Sequence, residues 1–113
     1  MQIIHQILTL EEIEKLRQQF GQYLKVTADI EKELVVIGCE LHADGEKILL
    51  EKGSKSDNIW GGGINLKLKE IDTTAVLNLR PGLGNNSMEI IDLKRREKFL
   101  ALVRRLFNKL WQT

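Results

Sequence analysis

The segment KVTADIEKELVVIGCEL, residues 25–41, determines the fold class that we predict for this 113-residue chain. Apolar and polar residues alternate over residues 25–30, which is the two-residue period of a strand with one buried face. Residues 34–41 form a nearly continuous run of β-favouring side chains, and the Asp-Gly pair at positions 44–45 is typical of a type I′ hairpin turn. We therefore expect antiparallel strands here, with the returning strand of the hairpin over residues 48–50.

The same alternation occurs twice more, at residues 64–68 and 75–79. Pro81 is expected to end the second of these strands, because proline lacks the N–H group that a ladder needs. Polar residues over 53–58 predict a loop, and the glycines of WGGG, residues 60–63, predict a flexible segment beside an aromatic side chain. The middle of the chain therefore predicts about five short strands.

Helices are predicted at both ends of the chain. The T-x-x-E spacing that begins at Thr9 is that of a capping box, so we expect a helix over residues 9–20 with Gly21 as its C-terminal stop. Residues 93–111 carry apolar side chains at helical spacing, and Asp92 is placed as the N-cap. An antiparallel meander sheet with both helices packed on one face is an α+β fold.

Composition restricts the class of protein. With 42% hydrophobic and 29% charged residues in 113, the chain suits one ordinary globular core, so we predict a single domain over residues 1–113. The 17 Lys and Arg residues nearly balance the 16 Asp and Glu residues, which argues against a globally basic nucleic-acid binder. Residues 92–113 hold seven basic and two acidic residues, so nucleic acid remains a weak expectation beside a solvated helix face.

The chain also predicts a compartment. Residues 1–8 lack the basic region and the cleavage site of a secretory signal, and no run approaches the roughly 18 apolar residues of a membrane span. The single cysteine, Cys39, has no partner for an internal disulfide. We therefore expect a cytoplasmic protein without membrane contact.

The register of the two predicted hairpins sorts the side chains onto two faces of the sheet. If the turns lie at residues 32–33 and 44–45, one face is apolar and suits both helices: Val26, Ala28, Ile30, Val35, Ile37, Cys39, Leu41, Ile48 and Leu50. The opposite face, which we call the polar sheet face, collects Lys25, Asp29, Glu40, His42, Lys47, Glu51, Asn65, Asn78 and Arg80. A solvated face explains such alternation equally well. The clustering of hydrogen-bonding groups still makes this face the place where we expect function.

Glu40 and His42 are the first candidates for chemistry. Two residues apart on a strand, they would share one side, as a general acid or base and its orienting carboxylate do. Arg80 would stabilise developing negative charge on the same face, so Glu40, His42 and Arg80 are the candidate catalytic residues. A hydrogen-bonded surface histidine is the simpler interpretation. Because no zinc-ligand spacing is present, we predict neither a metal site nor a cofactor.

The stretch RPGLGNNS, residues 80–87, is a candidate anion-binding loop. Its glycines would let backbone amides converge on an anion, beside a guanidinium that suits phosphate or carboxylate. It has neither the Walker nor the dinucleotide pattern, and a plain turn is the commoner meaning of such composition. The candidate ligand-binding residues are Asp29, Trp60, Asn65, Asn78, Arg80, Asn85 and Ser87.

Several segments together resemble a small prokaryotic family, the domain of unknown function numbered 5674. The resemblance lies in residues 29–31, 38–44, 50–54, 60–61 and 78–81. In that family the Trp-Gly pair leads almost directly into the next strand, so the additional glycines of this chain imply a looser loop. The resemblance implies a shared fold and a shared site, but it brings no activity with it.

Three functions are compatible with these patterns. The leading hypothesis is a small binding or interaction domain that holds an anionic small molecule or peptide on the polar sheet face, with Arg80 pairing the anion. The alternative is a hydrolase of phosphodiesters in which His42 is the general acid or base. The third hypothesis is a structural homodimer without a ligand. Whether the protein is an enzyme stays open at this point.

Overall fold

The structure of the chain, a computed structural model, describes residues 2–113. The strands and helices follow in the order β1 (Gln2–Ile4), α1 (Leu10–Phe20), β2 (Tyr23–Asp29), β3 (Leu34–Ile37), α2 (His42–Glu51), β4 (Ile59–Asn65), β5 (Glu70–Asp72) and α3 (Leu93–Leu106). Short 3-10 turns lie at Ser56–Asn58, Val76–Asn78, Pro81–Leu83 and Asn108–Gln112.

Over residues 2–113 the five strands form one antiparallel sheet in the order β1-β3-β2-β4-β5. The predicted α+β class and the sheet of about five antiparallel strands are confirmed. The strand order departs from a simple meander, because β1 pairs with β3 and a helix connects β3 to β4. β2 is the central strand and β4 is its longest partner.

The two terminal helices begin as predicted. The Thr9 hydroxyl accepts a hydrogen bond from the Glu12 N–H at 3.1 Å, and the Glu12 carboxylate accepts one from the Thr9 N–H at 3.0 Å. Gly21 ends α1 with a positive φ of 90°. Asp92 caps α3, which ends at Leu106 rather than at the predicted residue 111, and the chain continues as a 3-10 turn. None of the helices formed by residues 2–113 is long and apolar enough to cross a membrane.

The main hydrophobic core lies between one face of the sheet and the pair α1 and α3. The predicted strand parity is confirmed for β2 and β3, because Val26, Ala28, Val35 and Ile37 all belong to this core. The largest fully buried side chains of the core are Leu16, Leu24, Ile37, Trp60, Ile64, Leu66, Ile90, Phe99, Leu106 and Phe107. Both terminal helices thus pack on one face, as expected.

The predicted hairpin at Asp44-Gly45 is wrong, because both residues lie inside α2. Asp44 is in the first turn, where a carboxylate interacts favourably with the helix dipole. Gly45 is needed for close packing rather than for a turn: a Cβ there would lie 2.5 Å from the Thr27 hydroxyl oxygen. Residues 48–50 are therefore helical.

Helix α2 packs on the sheet face opposite to α1 and α3. A second, smaller cluster of buried residues joins α2 to this face through Val36, Leu49 and Ile59. Cys39 and Ile48 pack against this second cluster, whereas Leu41 and Leu50 are exposed. The sequence prediction placed these four residues on the opposite face, which is wrong because the chain leaves the sheet after Ile37.

The predicted flexible segment WGGG, residues 60–63, is instead the middle of strand β4. Its glycines permit close contacts on both faces of the sheet. A Cβ on Gly62 would lie 2.7 Å from the Phe99 ring, and a Cβ on Gly63 would lie 1.9 Å from the Tyr23 hydroxyl oxygen. The glycine run therefore indicates a crowded strand rather than a hinge.

The strand predicted over residues 75–79 is also wrong. Residues 73–92 form a long connection with two 3-10 turns, and Pro81 begins the second turn instead of ending a strand. The connection runs along the edge of β4 that β5 leaves unpaired, since β5 pairs only with residues 63–65. A polar side chain of the connection, that of Asn78, replaces the missing strand partner by hydrogen bonds to the Gly61 backbone.

Candidate functional site

The polar sheet face is divided by α2. The helix covers Thr27 and Asp29, which are buried, whereas Tyr23 and Lys25 at the other end of β2 are exposed. A cleft of about 430 Å³, which we call the α2 cleft, lies beside the N-terminal end of α2. It is lined by Lys25, Leu41, His42, Ala43, Val76 and Leu77.

His42 is the first residue of α2 and is half-buried in the wall of this cleft. Its Nε2–H donates to the Gly62 carbonyl oxygen over 2.7 Å, which leaves Nδ1 as an acceptor in the neutral ring. The ring fits against β4 because Gly61 has no side chain, and a Cβ there would lie 2.9 Å from the imidazole Cδ2. The imidazole is therefore held in one orientation with one nitrogen free.

Lys25 brings a positive charge to the same cleft. Its ammonium group donates to the backbone carbonyl oxygen of Glu40, which is a neutral acceptor. Among residues 2–113, no carboxylate lies within ion-pair distance of Lys25. The apolar walls are exposed: Leu41 is 60% and Val76 74% accessible to solvent. The α2 cleft thus combines an apolar surface with an unneutralised cation.

A second cavity adjoins the first and shares Lys25 with it. This cavity of about 380 Å³, which we call the β2 notch, lies where α1 ends and β3 gives way to the connection to α2. It is lined by Phe20, Tyr23, Leu24, Lys25, Gly38, Cys39 and Glu40. The two cavities therefore lie on either side of one lysine.

Two titratable groups in the β2 notch are kept in their neutral forms. Burial and a 2.7 Å hydrogen bond from its hydroxyl to the Asp72 carboxylate raise the pKa of Tyr23 well above its ordinary value. Burial also raises the pKa of the Cys39 thiol, and nearby Asp44 adds to the effect. A neutral thiol is a poor nucleophile, and Cys39 packs against the second, smaller cluster of buried residues.

Arg80, predicted to pair with an anion, has its donors engaged by the protein. Its Nε donates to the Leu77 carbonyl at 3.1 Å, its Nη1 to the Ser56 carbonyl at 2.6 Å, and its Nη2 to the Glu46 carboxylate at 3.0 Å. The guanidinium also stacks 5.0 Å from the centroid of the Trp60 ring. Burial lowers the pKa of Arg80, and the charge of Glu46 opposes that shift. Arg80 therefore ties the connection after β5 to α2.

The proposed catalytic set is not assembled as a hydrogen-bonded group. Over the part of the chain that the structure describes, no hydrogen bond joins any two of Glu40, His42 and Arg80. The Glu40 residue is exposed, and Lys25 contacts it through the backbone carbonyl. Glu46, the partner of Arg80, lies one turn after His42 on α2.

Asn78 and Asn85 hold the long connection against the sheet. The Asn78 side chain accepts from the Gly61 N–H at 2.8 Å, and its two N–H donors are shared among three carbonyl oxygens, of which the nearest is that of Gly61 at 2.8 Å. Asn85 shares its two N–H donors among three carbonyl oxygens and accepts from the Ile91 N–H. Both side chains are buried, and their polar atoms are engaged by backbone groups of this chain.

Glu89 lies in the same connection and is exposed. Hydrogen bonds from the hydroxyls of Thr74 and Thr73 to its carboxylate lower the pKa of Glu89. The Thr73 bond is 2.8 Å long. The ionised form of Glu89 therefore stabilises the connection between β5 and α3.

The remaining predicted ligand residues serve local structure. Asp29 and Asn65 each accept two backbone N–H groups in the turns that follow β2 and β4. Ser87 accepts from the Glu89 N–H at 3.0 Å. Trp60 is fully buried in the main core, donates its indole N–H to the carbonyl of residue 57, and has a second guanidinium, that of Arg95, 5.0 Å from its ring.

The sequence reasoning found His42 but missed most of the cleft. The alternation of residues 25–30 predicts Lys25 on the polar sheet face, and this position is the signal that could have added Lys25 to the candidate site. The sequence pattern predicts strands at Leu41, Val76 and Leu77, so no local pattern indicates that these residues line a cavity together. Among residues 2–113 there is no group of three or more His, Cys, Asp or Glu side chains that is placed to hold a metal ion.

Comparison with known proteins gives one match. A family model described as "Protein of unknown function (DUF5674)" matches residues 2–106. No curated protein matches the chain. No solved structure matches it either.

Proposed function

We propose that this chain, which belongs to the family of proteins of unknown function DUF5674, is a cytoplasmic binding domain that holds an amphiphilic anion in the α2 cleft. The ligand class is a small molecule with an apolar body and a carboxylate or phosphate head. The observation that carries the proposal is the Lys25 ammonium, unpaired with any carboxylate of residues 2–113, beside the apolar walls of the cleft. The reduced state expected for the lone thiol of Cys39 supports a cytoplasmic location.

The walls of the cleft would supply most of the binding free energy. A ligand that covers Leu41 and Val76 removes apolar surface from water, which is worth about 25 cal/mol per Å². A volume of about 430 Å³ is within the roughly 300–1,000 Å³ of small-molecule sites. Lys25 then selects the sign of the charge, with about 1 kcal/mol at most, because an exposed ion pair is screened by solvent.

Octanoate and octylammonium provide a matched pair of probes, because they have the same chain length and opposite charges. In NMR titrations octanoate is expected to shift the amide signals of Leu41, His42 and Val76, and to bind several-fold more tightly than octylammonium. Lys25→Gln is expected to weaken octanoate binding about fivefold. The control Lys47→Gln removes an exposed lysine of α2 outside the cleft and should leave the affinity unchanged. Equal affinities for the two probes would contradict the proposal.

Two other functions keep the status of hypotheses. A phosphodiester hydrolase has the free Nδ1 of His42 in its favour, but the engaged donors of Arg80 leave it without the expected anion-stabilising group. A homodimer would cover the exposed apolar side chains around the α2 cleft. Sedimentation equilibrium is expected to show a dimer at low micromolar concentration if this third function is correct, and a monomer there would exclude it.

A further inference from the structure

The central strand β2 has an unpaired edge at its beginning. β4 pairs with all seven residues of β2. β3 pairs only with Val26–Asp29, because β3 ends at Ile37 and Gly38 turns the chain away with a φ of +94°. Residues 23–25 therefore have a strand partner on one side only.

The register shows which backbone groups point toward this edge. Just beyond the two ends of β2, the Ile30 N–H donates to the Asn58 carbonyl at 2.9 Å, and the Gln22 carbonyl accepts from the residue after β4 at 2.7 Å. Both bonds continue the β2–β4 ladder, and both use even-numbered residues of this part of the chain. In an antiparallel ladder the N–H and C=O of one residue point to the same side, and the sides alternate along the strand. Tyr23 and Lys25 therefore direct their N–H and C=O groups away from β4.

These groups have no backbone partner in the part of the chain that the structure describes. None of the backbone hydrogen bonds of residues 2–113 engages Tyr23 or Lys25 on the side of β3. The open edge lies in the β2 notch, whose volume is about 380 Å³. Residues 39–41 leave the line of β3 to reach α2, and the bond from Lys25 to the Glu40 carbonyl holds them to β2.

We propose that the β2 notch binds an extended peptide, which pairs its backbone with Tyr23 and Lys25 and continues the line of β3. An unpaired strand edge is a template for such pairing, and strand addition is a common mode of peptide recognition. The inference goes beyond the proposed function, because it depends on backbone groups and on a different cavity. The two sites share only Lys25.

The same register defines the side chains of the peptide. A residue opposite Lys25 has its side chain on the face of Lys25, about 5 Å away, so an acidic residue there meets an ammonium with no carboxylate partner among residues 2–113. The neighbouring residue lies opposite Leu24 and faces the α1 side of the sheet, where Phe20 lines the notch. An apolar side chain fits that position. The partner is therefore a segment in which acidic and apolar residues alternate.

Hydrogen exchange of the free protein tests whether the edge is open. The N–H groups of Leu24 and Val26 face β4, so these amides are expected to exchange at least tenfold more slowly than those of Tyr23 and Lys25. The alternation from one residue to the next is the diagnostic feature. Equally slow exchange at all four amides would show that the edge is closed and would overturn the inference.

Three blocked pentapeptides of alternating valine and glutamate, with valine at both ends, test the pairing itself. The unmodified peptide is expected to bind and to slow exchange of the Tyr23 and Lys25 amides. N-methylation of its glutamates removes the N–H donors that face β2 and should weaken binding about tenfold or more. N-methylation of its internal valine removes a donor that faces away and should leave the affinity nearly unchanged. Equal binding of the two methylated peptides, or no binding of the unmodified one at millimolar concentration, contradicts the inference. Either result leaves the octanoate experiment unaffected, because that experiment measures shifts in the α2 cleft.

Discussion

Replacement of Asn78 by alanine is the most informative perturbation of the connection between β5 and α3. Asn78 is fully buried, and its side chain contacts four backbone groups of this chain at 2.8 to 3.0 Å: it accepts from one N–H group, and its two N–H donors are shared among three carbonyl oxygens. At about 1 kcal/mol for the accepted bond and for each of the two donors, Asn78→Ala should lower the free energy of unfolding by about 3 kcal/mol. That loss is a large fraction of the roughly 5–15 kcal/mol that stabilises a small domain, and it corresponds to a decrease in Tm of about 12 °C.

Urea denaturation followed by circular dichroism measures this change directly. Asn86→Ala is the matched control, because Asn86 lies in the same connection and is exposed, and it should alter the free energy of unfolding by less than about 0.5 kcal/mol. A loss below about 1 kcal/mol for Asn78→Ala would refute the reasoning. Asn78 would then be available to orient a ligand, as the sequence pattern first suggested.

Three further changes test other parts of the structure. Gly45→Ala should destabilise the protein by about 1–2 kcal/mol in urea denaturation, because the new Cβ collides with β2. The control is Gly82→Ala, where the new Cβ meets open space. A gain in stability for Gly45→Ala, as for such a change in an ordinary exposed helix, would contradict the packing. Because the pKa of Glu89 is lowered in the folded state, its contribution to stability is present above the ordinary glutamate pKa of about 4.3 and is lost as the pH falls through the lower folded value. Acid unfolding, followed by circular dichroism, should therefore depend less on pH in Glu89→Gln than in the wild type. Glu97→Gln, which also removes one exposed carboxylate, is the control variant. If the hydrolase hypothesis is correct, His42→Ala abolishes hydrolysis of bis(4-nitrophenyl) phosphate and lowers the free energy of unfolding by about 1 kcal/mol. Undiminished turnover in this variant would exclude the hydrolase hypothesis.

The parts of the fold that the sequence predicts correctly are those with local causes. The capping box at Thr9 involves groups three residues apart, and the alternation around Val26 reflects the geometry of a single strand. The Asp-Gly pair is typical of a tight turn, but Asp44 also suits the first turn of a helix, and Gly45 occurs in α2 because of its close contact with β2. A side chain at position 45 would collide with Thr27, which is distant in the sequence and lies on β2.

The candidate site was less predictable for the same reason. Asn78 and Arg80 have side chains that suit ligand binding, but their hydrogen-bond partners are backbone groups and a carboxylate that the fold brings from elsewhere in the chain. Sequence spacing does not show that such groups are already occupied. Conversely, the backbone groups of Tyr23 and Lys25 lack a strand partner on one side because β3 ends at Ile37. The run of β-favouring residues over 34–41 does not show where that strand ends.

The second cluster, beneath α2, is much smaller than the main core, and this difference affects how the molecule unfolds. α2 is fixed to the sheet by Val36, Leu49 and Ile59, whereas α1 and α3 share the much larger main core. The surface beneath α2 also carries Thr27 and Asp29, which water solvates well. Release of α2 would thus expose little apolar surface, so this outer layer can separate on warming while the sheet, α1 and α3 remain folded. Heat denaturation should proceed in two steps, and the earlier one would dismantle the α2 cleft.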